Sequence, residues 1–102
     1  MVKHSIVFMF ALLASAKAAE QTLRTTEISR HNKKSDCWIS IDGSVYDVTR
    51  YLERHKDFEY DIAKHCGTDT SKLWHKKPET GKPHSRKASR LLEKYRIGQS
   101  VQ

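Results

Sequence analysis

The C-terminal part of the chain carries one apolar face at helical spacing. In the stretch GKPHSRKASRLLEKYRIG, residues 81–98, the apolar side chains recur at i, i+3, i+4 and i+7: Ala88, Leu91, Leu92 and Tyr95. This spacing predicts one amphipathic helix. Ser85 is a favourable N-cap for it, so His84 lies directly before the helix, at the edge of its apolar face.

The clearest strand signal lies in the segment CWISIDGSVYDV, residues 37–48. Trp38, Ser40 and Asp42 alternate with two isoleucines, and both faces carry apolar residues. Asp42-Gly43 is a strong two-residue hairpin signal, so the pattern predicts a β-hairpin whose second strand covers residues 44–48.

Short helices are predicted between this hairpin and the C-terminal helix. Thr49 can cap a first helix that ends near His55. Asp57 can cap a second over residues 58–66, with Gly67 as its stop, and residue 68 or 69 can begin a third that reaches residue 74. The segment RIG, residues 96–98, predicts a possible edge strand. Strands combined with short helices predict an α+β domain.

The first 18 residues have the pattern of a secretory signal peptide. Lys3 precedes an apolar run from Ile6 to Ala14, and Ala16 and Ala18 have cleavage spacing. The apolar run is shorter than the roughly 20 residues that span a bilayer; the alternative is an uncleaved membrane anchor. We expect residues 1–18 to be the signal peptide, residues 19–26 a flexible lead-in, and residues 27–102 the folded domain, in the periplasm or secreted.

Two cysteines, Cys37 and Cys66, remain after this segment. Export places them in an oxidising compartment, where a cysteine pair in a small domain predicts a disulfide. The alternative is a pair of buried free thiols.

The chain is basic, with 19 Lys and Arg against 12 Asp and Glu and a formal net charge of +7. Removal of Lys3 and Lys17 lowers this charge to +5. Exported proteins rarely meet nucleic acid, so an acidic protein or an anionic membrane surface is the better partner class. The segment around His84, residues 72–87, contains one acidic residue, Glu79, and a cluster of basic residues: Lys72, Lys76, Lys77, Lys82, Arg86 and Lys87.

Two of the histidines stand beside apolar helical segments. His55 follows one short helix and His84 precedes another, so two helical hairpins with apolar inner walls could grip a flat ligand such as haem. His65 adjoins Cys66, but without a third and fourth ligand the two make a poor zinc site. No C-x-x-C-H motif is present, which excludes covalent c-type haem attachment.

The segment EISRHNKKSDCWISIDGSVYDVTRYLERH resembles the start of the cytochrome b5 haem-binding domain, and HSRKASRLLEKYRIG resembles its end. The resemblance covers residues 27–98. Exported bacterial b-type cytochromes of this family are more similar still, because they also pair D-C-W with a later C-G and have tryptophan followed by P-H-S.

The resemblance implies a small mixed sheet with short helix pairs that form a pocket for non-covalent haem b. It places His55 and His84 on the two axial iron ligands. The expected pocket residues are Tyr51, Leu52, Phe58, Ile62, Trp74, Ala88 and Leu91. It also supports the Cys37–Cys66 pairing.

One departure from the family pattern concerns the first ligand. Family members usually continue with Pro-Gly-Gly, whereas this chain has HKDF at residues 55–58. The glycines permit close backbone approach, which the side chains here do not. The haem-side loop must therefore differ, and His65 is the alternative ligand downstream.

These patterns predict an exported electron carrier rather than an enzyme. Two protein ligands leave no open iron position for oxygen or substrate, so one-electron transfer is favoured. We expect this chain to be a monomer whose partner is a redox protein with an acidic docking surface. The partner would dock on a basic rim of this chain: Lys76, Lys77, Lys82, Arg86 and Lys87. The alternatives are a non-redox haem- or ligand-binding module of the same fold, and a basic domain that binds anionic surfaces without haem.

Overall fold

The computed structural model describes residues 20–54 and 62–102, which form an α+β domain. Within these ranges the chain forms five strands and five short helices. The strands are β1 (Thr22–Arg24), β2 (Asn32–Lys33), β3 (Asp36–Ile41), β4 (Ser44–Asp47) and β5 (Arg96–Val101). The helices are α1 (Thr25–Ile28), α2 (Thr49–Arg54), a 3₁₀ helix (Ile62–His65), α3 (Ser71–His75) and α4 (Arg86–Glu93).

The strands form one mixed sheet in the order β1-β5-β4-β3-β2. β1 pairs with β5 in parallel, and the neighbouring pairs from β5 to β2 are antiparallel. β5 therefore lies between β1 and β4, and the expectation of an edge strand at residues 96–98 is wrong. The edge of β5 that faces away from β4 pairs with β1, which lies far from it in the sequence, and local sequence patterns do not reveal such a pairing.

The central hairpin has the predicted turn. β3 pairs with β4 from Trp38 opposite Asp47 to Ile41 opposite Ser44. Asp42 and Gly43 form the two-residue connection with φ of 51° and 83°. Both values are positive, as a type I′ turn requires. Gly43 adopts its value without steric cost, and aspartate is among the residues that are enriched in this region.

Alternation along β3 and β4 creates two apolar clusters on opposite faces of the sheet. One face carries Cys37, Ile39 and Ile41 of β3 with Tyr46 of β4, and helices cover part of it. Val45 faces the other way and packs with residues of β1 and α1. The first face is the one against which the candidate site is built.

The segment after the 3₁₀ helix is tied to β3. A disulfide joins Cys37 and Cys66, whose Cα atoms lie 4.8 Å apart, within the range that a disulfide allows. Backbone bonds continue the link, because the Gly67 amide donates to the Trp38 carbonyl at 2.6 Å and the Thr70 amide to the Ser40 carbonyl at 2.8 Å. The structure thus supports the predicted pairing; the oxidation state of the isolated protein stays a prediction.

The N-terminal segment differs from expectation. Residues 22–24, predicted to be part of a flexible lead-in, form β1, whose Leu23 is buried. Parallel pairing with β5 supplies the backbone partners that a three-residue segment lacks alone. The predicted signal peptide and the predicted helix start at Asp57 lie outside the described residues. Within the two described ranges, no helix is long and apolar enough to cross a membrane.

Candidate functional site

A cavity of about 340 Å³ lies between the sheet and the helices. Ile39 and Ile41 of β3 form its floor, and the helices α2, α3 and α4 contribute its walls. Its lining is mostly apolar, and its volume falls in the range of small-molecule sites. The arrangement suits a largely apolar ligand bound with a few polar contacts.

His84 lines this cavity and is held in place by Trp74. Its ring lies parallel to the Trp74 indole, with centroids 4.1 Å apart and planes at 4°. Its backbone amide donates to the Trp74 carbonyl at 3.0 Å, and Nδ1 lies 2.8 Å from the same oxygen. The segment before α4 and the end of α3 are thus fastened together at this histidine.

The contact with Trp74 fixes the tautomer of His84. A carbonyl oxygen can only accept, so Nδ1 must carry the proton in this bond. In the neutral ring, Nε2 then holds the free lone pair that a metal ion requires. Directly after it, the Ser85 hydroxyl accepts from the Ala88 amide at 3.2 Å and caps α4, as the sequence predicts.

Tyr51 and Tyr95 close another part of the wall. Their rings meet edge to face with centroids 5.9 Å apart. Burial, together with the neighbouring Tyr95, raises the pKa of Tyr51 above 10, so its hydroxyl stays neutral at physiological pH. The wall here is aromatic and uncharged.

The structure places most of the expected pocket residues on the cavity wall. Tyr51, Ile62, Trp74, Ala88 and Leu91 line it. The side chain of Leu91 is apolar and yet 39% exposed, because it faces the open cavity.

Leu52 departs from the expected position. It is 5% exposed and packs in the core cluster under the sheet, while its neighbour Tyr51 faces the cavity. Successive residues of a helix point about 100° apart, and in α2 this rotation directs Tyr51 to the cavity and Leu52 to the core. His55 and Phe58 lie outside the described residues.

The cavity wall also includes residues outside the expected pocket set. They are Ile39, Ile41, Val48, His65, Thr70, Leu73, Lys77, Pro78, Glu79, Leu92 and Tyr95. Leu92 and Tyr95 were visible on the apolar face of the predicted helix. His65 lies in the 3₁₀ helix, so this wall also offers an imidazole.

The predicted basic rim divides into two groups. Lys76, Lys82, Arg86 and Lys87 are exposed and do not line the cavity. Lys77 is half-buried and contributes to the wall, next to Pro78 and Glu79. The sequence cluster is therefore partly a surface and partly a component of the site.

Comparison with known proteins agrees with this geometry. Residues 24–101 match the model of the Cytochrome b5-like Heme/Steroid binding domain. Soluble cytochrome b558 of Ectothiorhodospira shaposhnikovii is 38% identical over 72 residues, covering 71% of this chain and 78% of that protein. The solved cytochrome b558 of Ectothiorhodospira vacuolata, described as a prokaryotic homologue of cytochrome b5, superposes with a TM-score of 0.72 at 33% identity, covering 79% of this chain and 99% of that one.

Similar stretches also occur inside enzymes. Nitrate reductase [NADH] 1 of Phaseolus vulgaris is 38% identical over 81 residues, covering 79% of this chain but 8% of that protein. This similarity concerns one module of a much longer chain.

Proposed function

The chain belongs to the cytochrome b5-like haem/steroid-binding family, and from this premise we propose that it is an exported b-type cytochrome that carries single electrons on a non-covalently bound haem. The family match and the similarity to a soluble cytochrome support the binding of haem.

The observation that carries the proposal is the state of His84. Its Nδ1–H donates to the Trp74 carbonyl, which leaves Nε2 as a lone-pair donor within a mostly apolar cavity. Such a backbone contact orients a ligating histidine and strengthens its basicity. These residues fit haem, whose iron accepts an imidazole nitrogen and whose ring requires apolar walls.

His55 is the proposed second axial ligand. The family resemblance supports it, because His55 is the last residue of the segment that resembles the start of the family's domain. With His55 and His84 both holding the iron, haem would supply reversible one-electron chemistry and would leave no open site for substrate. The protein then acts as a carrier, and a redox partner performs any further reaction.

Export is proposed from the N-terminal sequence pattern and from the cysteine pair. Both point to an oxidising compartment, the periplasm or the exterior. The exposed lysines and arginine beside His84 would favour a partner with an acidic docking surface, since opposite charges steer encounter.

An absorption spectrum of the haem-loaded protein tests this proposal. We expect a low-spin, six-coordinate b-type spectrum in both oxidation states, and its loss in His84→Ala and in His55→Ala. His75→Ala is the matched control, because His75 is exposed and pairs with Asp42 at 2.7 Å instead of lining the cavity. A low-spin spectrum that survives in His84→Ala would refute the ligand assignment.

His65→Ala decides between the two candidates for the second ligand. If the HKDF loop has moved ligation downstream, this variant and not His55→Ala loses the low-spin spectrum. Retention in His65→Ala with loss in His55→Ala supports the proposed pair.

A second candidate function is a non-redox haem- or ligand-binding module. The replacement of the usual Pro-Gly-Gly by HKDF favours it, because a displaced loop would weaken the first ligand. A high-spin, five-coordinate spectrum in the unaltered protein would support this candidate over electron transfer.

A further inference from the structure

Lys77 differs from the other basic residues near His84 in its surroundings. Of the six basic residues between positions 72 and 87, it alone is half-buried, and it alone lines the cavity. The other five are exposed: Lys72, Lys76, Lys82, Arg86 and Lys87.

The backbone of Lys77 is held in place by its own loop. Its amide donates to the Lys82 carbonyl at 2.8 Å, and its carbonyl accepts from the Gly81 amide at 2.7 Å. Gly81 has φ of 72°, a conformation that glycine adopts readily and that closes this turn. The loop is anchored again where the His84 amide meets the Trp74 carbonyl, so Lys77 starts from a fixed position on the wall.

In the part of the chain that the structure describes, the charge of Lys77 has no ion-pair partner. The adjacent Glu79 forms no ion pair in ranges 20–54 and 62–102 either. A cation that is partly removed from water beside apolar walls gains most from an anion placed against it. The wall at Lys77 therefore favours a ligand that carries a negative group at its polar edge.

We propose that Lys77 binds a carboxylate of the ligand, which for haem is a propionate, and thereby holds the cofactor's orientation and slows its release. The inference rests on the proposed function and adds to it a charged anchor from this chain's own loop. It assigns Lys77 to the cavity rather than to the surface that meets a redox partner. The ammonium is a point charge on a flexible stem, suited to one carboxylate oxygen.

The test compares the release of two ligands from three proteins. Apoprotein is loaded with haem or with haem dimethyl ester, whose carboxylates are neutral, and transfer to excess apomyoglobin is followed by absorbance. Lys77→Met keeps the apolar stem and removes the charge. Lys82→Met is the matched control, because it makes the same charge change at an exposed position of the same loop.

We expect Lys77→Met to release haem about three- to fivefold faster than the parent, the upper scale of one partly screened charge pair. Release of the dimethyl ester should be equal for Lys77→Met and the parent. Lys82→Met should stay within about twofold of the parent for both ligands, as an exposed, screened charge would.

Three results would overturn the inference. The first is unchanged haem release in Lys77→Met. The second is equal acceleration for both ligands, which would assign the effect to packing of the lysine stem. The third is an equal effect in Lys82→Met, which would assign it to general surface charge. The failure of the proposed function looks different: the parent itself would take up no haem or would give no low-spin spectrum.

Discussion

The imidazole of His31 lies flat against the indole of Trp38, with ring centroids 3.5 Å apart and planes at 3°. Its Nδ1 is 2.7 Å from Oδ1 of Asp36, and its Nε2 is 3.0 Å from Oε2 of Glu27. Carboxylates accept only, so both contacts are hydrogen bonds when both ring nitrogens carry protons. The corner between α1 and β3 is thus built around a histidine whose protonated form both carboxylates stabilise.

This corner makes stability depend on pH. Burial lowers the pKa of His31, but hydrogen bonds and attraction to Asp36 and Glu27 outweigh it and raise the pKa above 6.5. A raised folded-state pKa gives a contribution that is complete below 6.5 and is lost as pH rises through the folded value. We expect the difference in Tm between the parent and His31→Gln to be larger at pH 5.5 than at pH 8.5, values chosen about one unit or more on either side of the ordinary pKa.

A direct titration controls this result. The ring-proton NMR signal of His31 should have its midpoint above 6.5 in the parent and a lower midpoint in Glu27→Gln, which removes one carboxylate. A parent midpoint at or below 6.5, or a Tm difference independent of pH, would contradict the expectation.

The Cys37–Cys66 link gives a second prediction. The two residues are 29 positions apart, and cross-linking a loop of roughly that length stabilises by about 3–4 kcal/mol in the chain-entropy model. We expect unreduced, unfolded exported protein to contain no alkylatable thiol by mass measurement. The reduced protein should have a smaller free energy of unfolding than the oxidised protein, as measured by urea denaturation.

The haem spectrum is the control for this change. Neither cysteine is a proposed ligand, so the reduced protein should keep the low-spin spectrum below its own unfolding transition. Two alkylated thiols in unreduced protein would show that the bond does not form in solution.

The exposed basic residues give a third prediction, on encounter rates. Reversal of Lys76, Lys82 and Lys87 to Glu leaves Lys77 intact and changes only exposed positions. We expect oxidation of the reduced variant by ferricyanide, an anionic probe, to slow by about tenfold at low salt because attraction becomes repulsion. The gap should narrow as salt rises, since screening acts over about 8–10 Å.

Two comparisons isolate the position of these charges. Reversal of Arg24, Lys33 and Lys34, which are exposed and do not line the cavity, should have a smaller effect. A cationic oxidant such as hexaammineruthenium should react faster with the first variant. Equal slowing in both triple variants would mean that net charge, and not this rim, governs the rate.

Local chemistry made the hairpin and the C-terminal helix predictable. The Asp42-Gly43 pair specifies its turn within two residues, and Ser85 with the apolar face behind it specifies the start of α4. The place of His84 directly before this helix followed from the same pattern, whereas its contacts with Trp74 depend on the fold.

Features that depend on distant partners were not predictable. β1 has three residues and no periodicity of its own, and its position beside β5 is set by pairing across the sequence. Lys76 and Lys77 are neighbours in a basic run, and only the fold of the loop makes one exposed and the other part of the wall. Tyr51 and Leu52 are separated in the same way by the orientation of α2.

The parallel pairing of β1 with β5 also has a mechanical consequence. Thr22 lies beside Gln99 and Arg24 beside Val101, so the chain enters and leaves the sheet along two adjacent strands that run in the same direction. Tension between the two ends would pull these strands past each other and load their backbone bonds together, instead of opening them one at a time. If the domain is tethered at both ends, the force therefore acts as shear along the strands. In this direction several backbone hydrogen bonds of a short strand pair resist the force at once.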